Sequence, residues 1–218
     1  MIKRSDQEIE ITQEMLENLA EPTEDWNSFT PEMMYLRGSI TKKSCDSIIS
    51  HIMHINSEIP DMHHATLFVN SHGGDMEAAL ALISIMRASR VPIYTVAIGS
   101  CSSAALMIAM AGAGDNRYVD RYCSIMSHIF STGMGATAKP DDIKVWNSSI
   151  KLAKHVMISH YEDCTGLTKE VIKKKLLHKN SDTHMLAEDA IEYRMFDYLY
   201  DEYEHIHCSI RETVEERE

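Results

Sequence analysis

No stretch of the 218 residues runs apolar for the roughly 18 positions that a membrane-spanning helix needs. No Walker motif, no Gly-x-Gly-x-x-Gly fingerprint and no His-Glu-x-x-His occurs, so no signature for nucleotide phosphates or for a zinc peptidase is present. The five cysteines, Cys45, Cys101, Cys123, Cys164 and Cys208, include no Cys-x-x-Cys pair. An odd, scattered set argues against a disulfide scaffold or a zinc site and for a reducing cytoplasm. Positive charge is scarce: 21 Lys and Arg stand against 33 Asp and Glu, a net of −12. That balance argues against nucleic-acid and anionic-membrane partners, which require a basic face. Trp26 and Trp146 are isolated and make no stacking platform. Met1-Ile-Lys-Arg-Ser-Asp turns acidic at once and lacks the apolar core of a signal peptide.

Against these absences stands an apolar content of 44%, enough for a real core in one domain with appendages. Residues 1–30, polar and acidic, read as a partly disordered N-terminal extension. Residues 31–200 read as the domain and 201–218 as a charged tail, where His205-Ile-His207-Cys208 suggests only adventitious metal binding. Within the domain, strand patterns at Met34–Leu36, Ala65–Val69, Pro92–Ile98, Arg117–Val119, Cys123–Ser127 and Phe196–Tyr200 alternate with helical ones. One helix starts at Thr41, with Cys45, Ile48, Ile49, Ile52 and Met53 as its apolar stripe. Others run from Asp75 to Arg87, from the Ser103 turn to Met110, from Thr168 to Leu177 and from Ala187 to Tyr193. The longest runs from Asp141 to about Cys164, with Val145, Ile150, Ala153, Val156, Met157 and Tyr161 on its stripe and Gly166 as its stop. Residues 131–140 are a loop by composition, and 180–183 a turn. The alternation predicts an α/β architecture.

Two strand-to-helix turns carry the chemistry. The strand Pro92–Ile98 runs into Gly99-Ser100-Cys101-Ser102-Ser103 and then an Ala-, Leu- and Met-rich helix. A serine at such a turn exposes its oxygen where amides of a helix start can face a developing anion. The plainer alternative is helix capping by Ser100, Ser102 or Ser103. Asn70-Ser71-His72-Gly73-Gly74 forms the other turn, and glycine there permits close backbone approach. With Ser103 as nucleophile, His128 is the first candidate base, because it ends a strand in the following unit. His72 is the second. Asp182, in a turn before Met185-Leu186, is the candidate orienter, against the alternative of a helix cap. The amides of Gly74 and Ala104 are the candidate oxyanion donors.

Four segments in order resemble the Clp protease proteolytic subunit (ClpP) family. Asn70-Ser-His-Gly-Gly74 resembles its Asn-Ser-Pro-Gly-Gly loop, and Gly99-Ser-Cys-Ser-Ser103-Ala-Ala its nucleophile turn. Ser124-Ile-Met-Ser-His128 resembles its base segment, and Asp182 to Tyr193 its orienter segment. Residues 141–165 resemble its long handle helix. The resemblance implies a ClpP/crotonase-like superhelix of βαβ units. It implies a serine endopeptidase with Ser103, His128 and Asp182 as triad, Gly74 and Ala104 as oxyanion hole, and no metal. It further implies a homo-oligomer of two stacked heptameric rings that degrades unfolded proteins or peptides. An ATP-dependent unfoldase or a ClpP paralogue would be the partner, with ATP bound by the unfoldase and no cofactor in this chain. Ala104-Ala105 depart from the family's Met-Gly, His72 from its proline, Ser181 from a frequent arginine, and Thr66 from an aromatic in the unfoldase-docking pocket, where Phe68 is kept. Two alternatives remain: a non-catalytic ring subunit beside an active paralogue, and a crotonase-type acyl-CoA enzyme.

Overall fold

The structure is a computed structural model that describes residues 28–130, 140–179 and 181–200. The expected N-terminal extension, except Ser28–Thr30, lies outside the described residues, as do the loop 131–139, the charged tail and its His-x-His-Cys segment. Among the described residues, eight strands form one sheet. β1 (Ser28–Thr30) pairs antiparallel with β2 (Met33–Ile40). From β2 the sheet is parallel through β3 (Ala65–Gly74), β4 (Ile93–Ser102), β5 (Arg117–Val119) and β8 (Tyr198–Leu199). The βαβ alternation is thus the expected α/β one.

Sequence dictates the helices through caps and stripes. α1 (Lys42–Glu58) opens on a reciprocal cap, in which Ser44 N–H donates to Thr41 Oγ1 (3.1 Å) and Thr41 N–H to Ser44 Oγ (3.0 Å). Its buried face is Cys45, Ile48, Ile52 and Ile55. Met53, expected on that stripe, is 59% exposed; the face continues to Ile55 instead. α2 (Met76–Ala88) is capped by Asp75, whose Oδ1 accepts from Glu77 and Ala78 amides at 2.8 and 3.1 Å. α3 (Ala104–Met110) is buried on every side, which its unbroken Ala, Leu, Met and Ile run requires. α4 (Pro140–Thr165), α5 (Lys169–Lys175) and α6 (Ala187–Glu192) follow. Val145 does not face the core as its stripe suggested: it is 68% exposed.

β3 and β4 run longer than their apolar cores suggest, to Gly74 and Ser102. In β3 the alternation persists through polar residues, because Leu67, Val69 and Ser71 all point into the core. β4 changes neighbour midway. Thr95–Ala97 pair with β5, whereas Ser100–Ser102 pair with β6 (Ser124–Ser127). Gly99, at φ +61, sits between the two halves. This fork brings β6 beside the Ser103 turn. β6 then pairs antiparallel with β7 (Thr183–Met185), a strand the sequence does not predict; its first residue, Thr183, was expected in the turn 180–183.

The far edge is fastened by a buried ion pair. Arg117 donates to Asp197 through Nε (2.9 Å) and Nη2 (2.6 Å), and through Nη1 to the Cys164 carbonyl at the end of α4 (2.7 Å). Arg117→Met leaves the Asp197 carboxylate, only 13% exposed, without its counter-charge. A loss of about 3–5 kcal/mol is expected, read as a fall in the urea midpoint at unchanged m-value.

Candidate active site

The turn after β4 holds Ser103 in a conformation that side-chain-bearing residues seldom adopt, φ +57 and ψ −123. Backbone bonds on both sides maintain it. Ser103 N–H donates to the Met126 carbonyl of β6 (2.9 Å), and Met107 N–H donates to the Ser103 carbonyl (3.2 Å). Its hydroxyl makes no capping bond to α3, so the capping alternative does not describe Ser103. Instead, Ser103 Oγ and His128 Nε2 are hydrogen-bonded at 2.7 Å. Both residues are part-buried.

The other predicted residues fall as follows. Asp182 lies one residue beyond the last pair of the β6–β7 ladder, Ser127 with Thr183. Extending that register sets Asp182 opposite His128. Its side chain is exposed and makes no hydrogen bond or ion pair among the described residues. Beside it, the Thr183 hydroxyl is buried and unpartnered among the described residues. His72, the second candidate base, approaches a different hydroxyl: its Nδ1 is 3.0 Å from Ser100 Oγ. Ser100 is further held through its amide by Asn70 Oδ1 (3.2 Å).

Gly73 and Gly74 explain themselves by what a side chain would strike. A Cβ on Gly73 would come within 2.8 Å of both the Ser102 carbonyl oxygen and Ser103 Cβ, and 3.1 Å from the Ala104 nitrogen. A Cβ on Gly74 would run into the Ile40 backbone. The glycine segment therefore packs bare backbone against the serine turn, which brings it beside the Ala104 amide. As the first residue of α3, Ala104 has an N–H with no acceptor inside its helix.

Cys101, two residues before Ser103, is no rival nucleophile, because complete burial pushes its thiol pKa well up. Among the described residues no group of three or more His, Cys, Asp or Glu side chains could hold a metal ion. A pair that places a hydroxyl on an imidazole at a strained turn can perform nucleophilic acyl transfer.

The sequence model of the Clp protease family matches residues 23–202. The chain belongs to the Clp protease family. Within it the chain is a divergent member. It is 27% identical over 173 residues to the ATP-dependent Clp protease proteolytic subunit 1 of Corynebacterium glutamicum, covering 79% of this chain and 81% of that one. With the ATP-dependent Clp protease proteolytic subunit of Borreliella afzelii it shares 27% over 167 residues, 77% and 82% of the two chains. With the chloroplastic proteolytic subunit 4 of Arabidopsis thaliana it shares 26% over 169 residues, 78% and 56%. Membership in the family supports a peptidase. No helix among the described residues is long and apolar enough to cross a membrane.

Sequence reasoning passed over His160, which lies under the Ser103-bearing helix. It is buried, and its Nε2 lies 2.8 Å from the Met107 carbonyl of α3. Its Nδ1 is 3.3 Å from Arg87 Nη2. A guanidinium can only donate, so Nδ1 accepts and Nε2 carries the proton. Burial, and then the facing Arg87, lower its pKa from 6.5 to about 4, against the opposing pull of the Met107 carbonyl and Asp163. Cys164 also faces the ring, and His155 lines the same cleft. A histidine held neutral in the fold binds its proton in the unfolded chain first. Its contribution is therefore complete above about pH 6.5 and is lost as pH falls toward 4, a swing of roughly 3 kcal/mol. His160→Gln, which cannot titrate, should flatten the stability-versus-pH curve between those limits. An unchanged slope in urea titrations would refute this assignment.

Proposed function

We propose that this chain is the catalytic subunit of a self-compartmentalised serine endopeptidase. The observation that carries the reading is the 2.7 Å bond from Ser103 Oγ to His128 Nε2 at a turn of positive φ. Ser103 attacks the scissile carbonyl while His128 Nε2 takes its proton. The oxyanion of the tetrahedral intermediate receives the N–H groups of Gly74 and Ala104. His128 then protonates the departing amine, and water, deprotonated by the same imidazole, releases the acyl group from Ser103. Asp182, opposite His128 in the extended β6–β7 register but uncontacted among the described residues, turns toward the ring during the reaction, receives Nδ1–H and fixes the tautomer.

The substrates are unfolded proteins or peptides, delivered by an ATP-dependent unfoldase that binds the nucleotide itself; the compartment is the cytoplasm. The names of the relatives, proteolytic subunits of an ATP-dependent protease, support that partnership. The assembly is a homo-oligomer of two stacked seven-membered rings joined through α4. In support, α4 exposes Val145 and Leu152, 68% and 63% accessible and seven residues apart, with Ser148 and Ser149 between them. A second reading, a non-catalytic subunit beside an active paralogue, draws on the exposed, uncontacted Asp182.

A fluorophosphonate probe with peptide mapping, run beside a sizing column, tests the choice. One adduct, on Ser103, is the expected result. An assembled ring that takes no adduct would reject the catalytic reading.

A further inference from the structure

Two adjacent side chains near the end of α4 reach the two halves of the Ser103–His128 pair by separate routes. His160 donates from Nε2 to the Met107 carbonyl (2.8 Å), and the Met107 amide donates to the Ser103 carbonyl (3.2 Å). The first turn of α3, and with it the backbone of Ser103, therefore hangs on the His160 ring. Tyr161 turns the other way. Its hydroxyl bonds Ser127 Oγ at 2.8 Å, and Ser127 precedes His128 at the end of β6.

Both anchors are buried deeply enough to be stiff. Tyr161 and Ser127 are each 0% exposed and His160 4%. Each is itself braced. Arg87 of α2 faces His160 Nδ1 at 3.3 Å, and Thr165 Oγ1 donates to the Tyr161 carbonyl at 2.6 Å. Leu167 N–H then donates to Thr165 Oγ1 (3.2 Å), which ties the bend after α4 into the same set. A one-residue step along α4 swings successive side chains by about 100°, so one rigid helix end can grip α3 and β6 together.

We propose that His160 and Tyr161 are positioning residues: the end of α4 sets the Ser103–His128 distance by holding α3 through His160 and β6 through Tyr161. The proposal rests on the reading of Ser103 and His128 as nucleophile and base. It gives α4 a second task besides any contact it makes at its exposed end. Rate is sensitive to the Ser103–His128 distance, since a misplacement of about 1 Å can slow a reaction by about a hundredfold.

The test uses the full-length protein and two readouts. The first is the phosphonylation rate per labelled site with a fluorophosphonate, in which Ser103 Oγ displaces fluoride from phosphorus, counted separately from the number of sites that label. Tyr161→Phe and Ser127→Ala should each slow the rate about tenfold, and the double variant no further, because both remove one bond. His160→Leu should slow it about tenfold, and His160→Gln, whose amide can still donate to Met107, should recover most of the loss. A merely structural role would instead lower the number of reactive sites and leave the rate per site unchanged; that result overturns the proposal. The second readout is the crystal structure of Tyr161→Phe and of His160→Leu. A Ser103 Oγ to His128 Nε2 separation still at 2.7 Å in both overturns it as well; a separation beyond hydrogen-bond reach supports it. Wild-type protein that does not label at all rejects the catalytic reading, and the crystallographic separation then decides the positioning claim alone.

Discussion

Ser103→Ala will remove peptide hydrolysis and leave the fold in place. The two expectations come from different atoms. Ser103 holds its turn through main-chain groups, its amide on Met126 and its carbonyl on Met107. Its only side-chain bond among the described residues is the one to His128. Alanine keeps the backbone bonds and bears the same strain at φ +57 as serine does, so stability should change by less than about 1 kcal/mol. Hydrolysis has no such reserve. His128 would be left facing a methyl group, with no oxygen to deprotonate and none to carry the acyl group. Loss of a triad nucleophile leaves only binding and oxyanion stabilisation, so kcat should fall by at least about 10⁴ with KM little changed. Steady-state hydrolysis of a fluorogenic peptide, with a sizing column on the same sample, measures both. Activity within tenfold of wild type would move the nucleophile elsewhere, and Ser100 beside His72 would become the serine to examine.

The Ser103 turn was legible because three signals agree there: a β-branched strand, small residues, and a run of helix formers without a polar position. Such agreement between local preference and fold is what specifies structure. The same signals located Gly73-Gly74, of which Gly73 packs its side-chain-free backbone against Ser103 and Gly74 against Ile40. Less was legible where partners lie far along the chain. Thr183-His184-Met185 is too short and too polar to show a period of two, and it becomes a strand only because β6 presents an open edge. The extension of β3 to Gly74 rests on Ser71, buried through the bond its Oγ accepts from Gly73 N–H (3.0 Å). His160 was hidden among twelve histidines. Tyr161 lies on the buried stripe of α4 that periodicity predicts, but periodicity registers its ring and not the hydroxyl that reaches Ser127. Val145 misled for a related reason: an apolar residue on a helix stripe reads as core, whether the surface it meets belongs to its own chain or to another.

Asp182→Ala should reduce kcat by about 10³, with KM nearly unchanged, and Asp182→Asn should do no better. The argument starts from the imidazole. With Nε2 accepting from Ser103, Nδ1 must carry the ring proton, and the charge that forms on His128 during attack needs a carboxylate on that side. The β6–β7 register brings only one acidic residue opposite His128, namely Asp182. Its side chain is exposed and its neighbour Thr183 keeps a buried hydroxyl without a partner among the described residues, so the start of β7 has a polar group still to satisfy. A small rotation of this end of the strand, together with a change of Asp182 rotamer, would carry the carboxylate toward Nδ1. Asparagine fills the same space but can offer its amide N–H to the ring, which favours the wrong tautomer; alanine offers nothing. The two variants therefore fail for different reasons and to a similar extent. An unchanged urea midpoint in both variants separates this from a structural loss. If both variants keep kcat within about threefold, Asp182 does not orient His128, and the pair works as a Ser–His dyad with a tautomer set by solvent.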